Sequence, residues 1–233
     1  MLNIKQFRSG DNLSYVLFGD KEALAIDGVA AQAILDFIES RGLSLTLIAN
    51  THSHLDHTGG NNALLKNSKA TSLRVADLIQ KGEFELEGQT IKVFHTPGHT
   101  EDSICFYTPP YLISGDTLFN GTIGNCFTGD LRAFHESIKK LMILPPDTIV
   151  YAGHDYVKDS RAFANYLEPG NNSFDLFLKQ RYDPAHVYST LNDELSINPY
   201  LRFNDDKIIA VLESRGLTVG TGWHRWESLM SIE

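Results

Sequence analysis

Short apolar runs broken by turn residues fill the N-terminal two thirds of the chain. Residues 13–18 and 23–26 are apolar on either side of Gly19-Asp20-Lys21-Glu22, which predicts a β-hairpin. Ala33, Ile34, Phe37 and Ile38 then recur on one helical face, and Gly42 is a natural stop after Arg41. Further strands are predicted at 45–49, 91–94 and 148–151, and 112–114 pairs with 103–107 across Pro109-Pro110. A helix at 132–144, apolar at Phe134, Ile138 and Leu141, precedes the last of these strands. Many short strands with occasional helices predict a layered α/β fold rather than an all-β sandwich. The character changes near residue 160, beyond which 160–167, 174–181 and 206–215 all predict helices separated by Pro, Gly and Asn. The expected organisation is therefore a catalytic domain over 1–160 and a helical C-terminal region over 161–233.

Composition narrows the class of function. The 233 residues, 42% hydrophobic and 21% charged, are ordinary for a globular protein able to bury its own core. Cys105 and Cys126 form no framework and no C-x-x-C pair, which fits a reducing compartment. No run approaches the ~20 apolar residues of a membrane helix, and the N-terminus lacks a signal-peptide core, so a cytoplasmic location with no membrane partner is expected. A formal net charge of −9 argues against a nucleic-acid partner. It leaves a small anionic substrate open, because bound metal ions would make a pocket locally positive.

The candidate chemistry lies where the strands end. Four apolar runs each finish within a few residues of a metal-ligand type, at Thr51-His52, Gly98-His99, Gly115-Asp116 and Gly153-His154. Strands leaving a sheet at one edge bring their loops to one patch of space, and the glycines permit the tight turns this needs. In an extended segment His52 and His54 point the same way and can grip one metal, while Asp56 and His57 follow the turn and face a second. His99 can complete the first metal, His154 the second, and Asp116 can bridge them. A single histidine beside an apolar run is more often a hydrogen-bonded structural residue, but that account does not extend to seven ligand types so placed. Nitrogen and oxygen donors without thiolate, with room for water, suit two catalytic divalent ions and do not single out zinc, iron or manganese; zinc is the expectation, with iron or manganese as alternatives.

The other candidates carry weaker signals. Asp27 either orients a ligand histidine through its ring N–H or occupies an ordinary turn. His95 is a candidate supporting residue, whereas His135, His186 and His224 fit surface or packing roles. Cys126 has no basic neighbour to activate it as a nucleophile.

The run His52-Ser53-His54-Leu55-Asp56-His57 resembles the H-x-H-x-D-H signature of the metallo-β-lactamase superfamily, with His99, Gly115-Asp116 and Gly153-His154 matching its later ligand motifs in order. That resemblance implies an αββα sandwich with the site at one edge of two sheets. It also implies His52, His54 and His99 on one metal, Asp56, His57 and His154 on the other, and Asp116 between them. Within the superfamily the chain is most similar to glyoxalase II, the hydroxyacylglutathione hydrolases, through Gly115-Asp116-Thr117-Leu118-Phe119, Leu144-Pro145-Pro146-Asp147-Thr148, Gly153-His154-Asp155-Tyr156, Glu168-Pro169-Gly170-Asn171, Ser189-Thr190-Leu191-Asn192-Asp193-Glu194 and Asn198-Pro199-Tyr200-Leu201-Arg202.

Departures from that family fall on the substrate side. Its glutathione-holding lysine and tyrosine correspond here to Asn125 and Phe127, and Arg225 has no lysine following it; Tyr156 does match a glutathione-contacting tyrosine. A lost charged hydrogen bond weakens binding by ~1.5–3 kcal/mol. The expected activity is hydrolysis of a small-molecule thioester by a metal-bridging hydroxide, the metals lowering the water pKa toward roughly 7 and Asp56 acting beside them. A thiolate departs readily, whereas an amide nitrogen would need a proton donor for which the sequence offers no dedicated residue. Three other readings compete: a lactonase or other ester hydrolase on the same site, a mononuclear-iron persulfide dioxygenase-like oxygenase using His52 or His54 with His99 and Asp116, and a non-enzymatic binding protein on a retained fold.

Overall fold

Runs such as residues 13–18 are apolar on both faces of a strand, so each face needs a covering layer. The computed structural model, which describes residues 1–232, supplies four layers. One sheet holds β1 (Asn3–Ser9), β2 (Asn12–Phe18), β3 (Glu22–Ile26), β4 (Ser44–Ala49) and β5 (Thr71–Ser72), side by side in chain order. The other holds β6 (Glu83–Leu86), β7 (Gln89–His95), β8 (Ile104–Thr108), β9 (Tyr111–Gly115), β10 (Ile149–Ala152) and β11 (Ser189–Thr190), again in order. Both sheets are mixed: β3–β4, β4–β5 and β9–β10 pair parallel, the remaining neighbours antiparallel.

Alternation along each strand divides the core. Leu13, Tyr15, Leu17, Leu24 and Ile26 of the first sheet meet Ile91, Val93, Ile104, Phe106, Ile113 and Tyr151 of the second in one buried cluster. The outward residues Val16, Ala23, Ala25 and Ile48 pack under α1 (Ala31–Ser40) through Ile34 and Ile38, and under Leu64 of α3 (Asn61–Lys66). Helix α1 stops where Gly42 takes a left-handed φ of 64°, which suits a residue without Cβ. On the far side Cys105, Tyr107, Leu112 and Val150 pack against Phe134, Ile138 and Leu141 of α5 (Leu131–Met142), whose first turn is capped by Asp130 accepting from the Ala133 N–H at 2.9 Å. Burial of each such side chain stabilises the fold by about 1.5–3 kcal/mol. The αββα expectation holds.

The predicted strands and helices recur with bounds shifted by a few residues, and the structure adds elements the pattern had not announced. β1 is an edge strand of mixed polarity, and α2 (Leu55–Thr58) and α4 (Val75–Lys81) are too short to show a period. After α6 (Val157–Leu167) and α7 (Ser173–Gln180) come two further unannounced elements, β11 and α8 (Leu191–Ile197), then α9 (Asp206–Ser214) and the unannounced α10 (Gly222–Met230). The C-terminal helices do not stand apart: Val157, Phe174 and Phe177 join the inter-sheet core, and Leu191, Tyr200, Ile208, Leu212 and Trp226 complete the layer over the second sheet. Two stretches singled out in the sequence meet there, where Arg202 forms a buried ion pair with Glu168 and reaches Asp205 at 2.8 Å. Among the described residues no helix is long and apolar enough to cross a membrane.

Candidate metal centre

The loops after β4, β7, β9 and β10 converge at one edge of the sandwich, and α2 adds Asp56 and His57 one turn beyond His52 and His54. The ligand atoms of His52, His54 and His99 lie within 4.8 Å of one another, as do those of Asp56, His57 and His154. Asp116 sits between: Oδ1 is 3.3 Å from His57 Nε2, while Oδ2 is 3.4 Å from His154 Nε2 and 3.5 Å from His99 Nε2. All seven residues named from the sequence are therefore brought together. Gly153 matters here for space, since a Cβ would stand 2.0 Å from Asp116 Oδ1; Gly115 matters for its φ of 51° and because a Cβ would strike Thr51.

Each ring is oriented from behind. Asp27 Oδ2 accepts from Thr51 Oγ1 at 2.7 Å and from His57 Nδ1 at 3.0 Å, and Oδ1 accepts from the Thr51 N–H at 2.8 Å. Of the two sequence readings of Asp27, the ring-orienting contact is the one present. Because the Thr51 hydroxyl donates to Asp27, its oxygen accepts from His52 Nδ1 at 3.1 Å. His99 Nδ1 donates to the Asn125 carbonyl at 3.0 Å. The Nε2 atoms of His52 and His99 are thus left as lone pairs, at 3.0 and 3.1 Å from His54 Nδ1, and His57 Nε2 faces His154 Nε2 at 3.2 Å. Converged lone pairs beside a buried carboxylate repel unless a cation stands among them, so the donor set fits the two divalent ions expected.

The electrostatics agree. Burial, then the charge of His57, pushes His52 down to about 4, and burial lowers His99, so both rings keep a free lone pair at neutral pH. For His57 burial alone would lower the pKa, but the Asp27 and Asp116 carboxylates outweigh it and lift it to about 11. Burial would likewise raise Asp116, yet His154 and His57 hold it well below the usual carboxylate range.

Sequence reasoning missed Asn12. Its Nδ2 donates to the Asp56 carbonyl at 3.0 Å and lies 3.3 Å from Asp56 Oδ2, fixing a carboxylate that is otherwise half exposed. The signal is tertiary, because the first sheet is pinned to the second beside it: Leu13 N–H donates to Gly153 O at 2.8 Å, Asp155 N–H to Asp11 O at 3.0 Å, and Ile104 N–H to Thr51 O at 2.8 Å. His95 has no place in the centre; its ring contacts the Glu101 carbonyl at 2.8 Å. His135 is buried among Phe203, Trp223 and Trp226, a packing role.

Beside the centre a cleft of about 360 Å³ is walled by Phe119, Ile123, Asn125, Tyr156 and Phe163. The Tyr156 ring stacks parallel on His154 at 4.9 Å, and Phe127, 66% exposed, lies 5.1 Å from His99 and 5.9 Å from His54. The three substrate-side candidates Asn125, Phe127 and Tyr156 thus border the metal ligands. The 120–123 wall is anchored by the fully buried Glu194, whose two oxygens accept from the Gly121 N–H at 3.1 and 3.0 Å and from Asn198 Nδ2 at 2.9 Å, Nδ2 also donating to the Thr122 carbonyl at 3.0 Å.

Burial pushes the Glu194 pKa from an ordinary 4.5 up to about 7. A carboxyl that holds its proton more tightly when folded stabilises below its unfolded pKa, and that stability is lost as the pH rises through the folded value. Glu194→Gln keeps the neutral form. Relative to wild type it is expected to gain roughly 3 kcal/mol between pH 4.5 and 7.5, read from urea unfolding at the two ends. Parallel pH profiles for the two proteins would show the carboxylate to be ionised throughout.

Comparison with known proteins agrees with this geometry. The family model for the metallo-beta-lactamase superfamily matches residues 9–82 and 71–154, and that for the hydroxyacylglutathione hydrolase C-terminus matches 155–227. A hydroxyacylglutathione hydrolase of Chromohalobacter salexigens is 35% identical over 225 residues, covering 88% of each chain. Another, from a Synechococcus species, is 34% identical over 236 residues, covering 88% of this chain and 90% of its own. Among solved structures, ETHE1 from Myxococcus xanthus superposes with a TM-score of 0.68 at 21% identity, over 98% of this chain and 90% of its own. The B3 metallo-beta-lactamase BLEG-1 gives 0.66 at 24%, over 85% and 99%. These structural likenesses bear on the fold alone. With two family models covering 9–227 in succession and relatives a third identical over most of both chains, this chain belongs to the metallo-β-lactamase superfamily and, within it, to the hydroxyacylglutathione hydrolases.

Proposed function

We propose that the protein hydrolyses small-molecule thioesters of 2-hydroxy acids at a centre of two divalent metal ions, zinc in the first instance. The observation that carries this reading is the pair of three-residue clusters with Asp116 between them, on a chain whose relatives are named for hydroxyacylglutathione hydrolysis. In this assignment His52, His54 and His99 hold one ion, Asp56, His57 and His154 the other, and Asp116 is shared. When bound, the ions supply a water ionised near neutral pH and a Lewis acid for the carbonyl.

The chain's own residues do the rest. Asn12 keeps Asp56 turned toward the centre, and Asp27 and Thr51 fix the rings of His57 and His52. Tyr156, its pKa lifted to about 12 chiefly by burial, remains a neutral phenol at the cleft wall. The leaving thiolate, with an ordinary pKa of ~8.5, needs no proton donor. Residues 1–160 then carry the metal ligands, and the helical region 161–233 closes one side of the cleft through Phe163.

The test couples metal analysis with turnover of S-lactoylglutathione, other thioesters and lactones. Two ions per chain with thioesters as the faster substrates is the expected outcome. One iron per chain with oxygen uptake would replace this reading with an oxygenase, and lactones outpacing thioesters would move the substrate class.

A further inference from the structure

Three of the five ligand rings are held from behind: His52 by Thr51, His57 by Asp27 and His99 by the Asn125 carbonyl. His154 is held differently. Its Nε2 faces the centre, 3.4 Å from Asp116 Oδ2 and 3.4 Å from Asp56 Oδ2. Its Nδ1 is buried and has no hydrogen-bond partner among the described residues. A neutral imidazole that offers Nε2 to a cation carries its proton on Nδ1, so a buried donor stands there without an acceptor. The rings of Tyr156, stacked parallel at 4.9 Å, and Phe119, at 6.1 Å, flank the imidazole and bring no acceptor to that nitrogen.

One exposed carboxylate approaches it. Asp11 Oδ2 lies 3.8 Å from His154 Nδ1. Ser9 pairs with Asn12 across the β1–β2 hairpin, so Gly10 and Asp11 are its two turn residues, and Gly10 supplies the positive φ, 66°, that such a turn needs. The backbone on both sides is fastened to the His154 loop. Asp155 N–H donates to Asp11 O at 3.0 Å and Leu13 N–H to Gly153 O at 2.8 Å, with Asn12 bridged to His154 between them. The main chain thus fixes where Asp11 stands, and rotation of its side chain is enough to close the last ~1 Å to hydrogen-bond length. Among the described residues that carboxylate has no hydrogen bond and no other ion pair, so no protein group competes for it.

We infer that Asp11 is the positioning residue of His154: with a cation at Nε2, its carboxylate accepts the Nδ1 proton and fixes the ring. The hairpin turn then serves one cluster twice, Asp11 through His154 and Asn12 through Asp56. The set of His52, His54 and His99 is oriented without it. Asp11 therefore acts on one ion and not on the other. The inference rests on the two-ion reading above.

The experiment titrates the zinc-loaded protein with a competing chelator, for the wild type, Asp11→Ala and Asp11→Asn. Asp11→Ala is expected to weaken the ion held by Asp56, His57 and His154 about ten-fold, the low end of the range for losing a group behind a ligand histidine. The other ion should keep its affinity, and Asp11→Asn, which retains an acceptor oxygen, should fall between. A second measurement needs no variant. In nuclear magnetic resonance spectra of the zinc-loaded wild type with isotope-labelled histidine, the His154 Nδ1 proton should give a slowly exchanging signal. Equal affinities in wild type and Asp11→Ala, both ions weakened alike, or a wild-type Nδ1 proton in free exchange with water would overturn the inference while leaving the two ions standing. Uptake of one ion by the wild type would overturn the two-ion reading, and the inference with it.

Discussion

Asp116→Ala is expected to reduce hydrolysis by at least ~10³-fold and to lower metal content at both positions together. Removing one preorganised group aimed at a reacting centre already costs 10²–10³-fold, and Asp116 serves two clusters at once. Its Oδ1 approaches His57 at 3.3 Å while its Oδ2 approaches His154 and His99 at 3.4 and 3.5 Å. His52 and His57, one ring from each set, form a third group with Asp116, and the packing of Gly153 against Oδ1 leaves the carboxylate little freedom to turn. Metal analysis beside steady-state kinetics checks this. A variant with full activity and full metal content would refute the shared-ligand assignment, and selective loss of one ion would reassign Asp116 to a single cluster.

Asp27→Asn is expected to weaken binding of the ion held by His57 by 10–100-fold, the usual cost of losing the group behind a ligand histidine. The substitution isolates charge from conformation. Asp27 has a φ of 51°, a left-handed geometry that asparagine also tolerates, so the backbone turn survives. What is lost is an anion that accepts from the Thr51 N–H, the Thr51 hydroxyl and His57 Nδ1 simultaneously. Competitive zinc titration with a chelator reads the affinity directly. Unchanged affinity would mean that packing alone orients His57. Asp27→Ala should do more harm, because it also strands buried donors, destabilising the fold by about 3–5 kcal/mol in urea unfolding.

The sandwich was legible because strands apolar on both faces admit few arrangements, and the convergence of His52, His99, Asp116 and His154 was legible because each lies within a few residues of the end of a strand. What stayed hidden has physical causes. β1 shows Lys5, Gln6 and Arg8 in a run whose only apolar side chains are Ile4 and Phe7, and its pairing with β2 comes from sheet register rather than periodicity. α8 did carry a readable sign, the reciprocal Thr190–Asp193 capping box, which would have placed its start. Asn12 and Glu194 could not be found that way: their contacts to Asp56 and Gly121 span 44 and 73 residues, and no local pattern encodes them.

The backbone links at Leu13, Ile104 and Asp155 have a mechanical consequence. The cations would sit on the seam between the two halves of the sandwich, drawing His57 from one side and His154 from the other. Like a rivet through two overlapping plates, they would fasten the molecule at the very edge where it must admit its substrate. Strength and reactivity are concentrated at the same line, so whatever loosens one loosens the other.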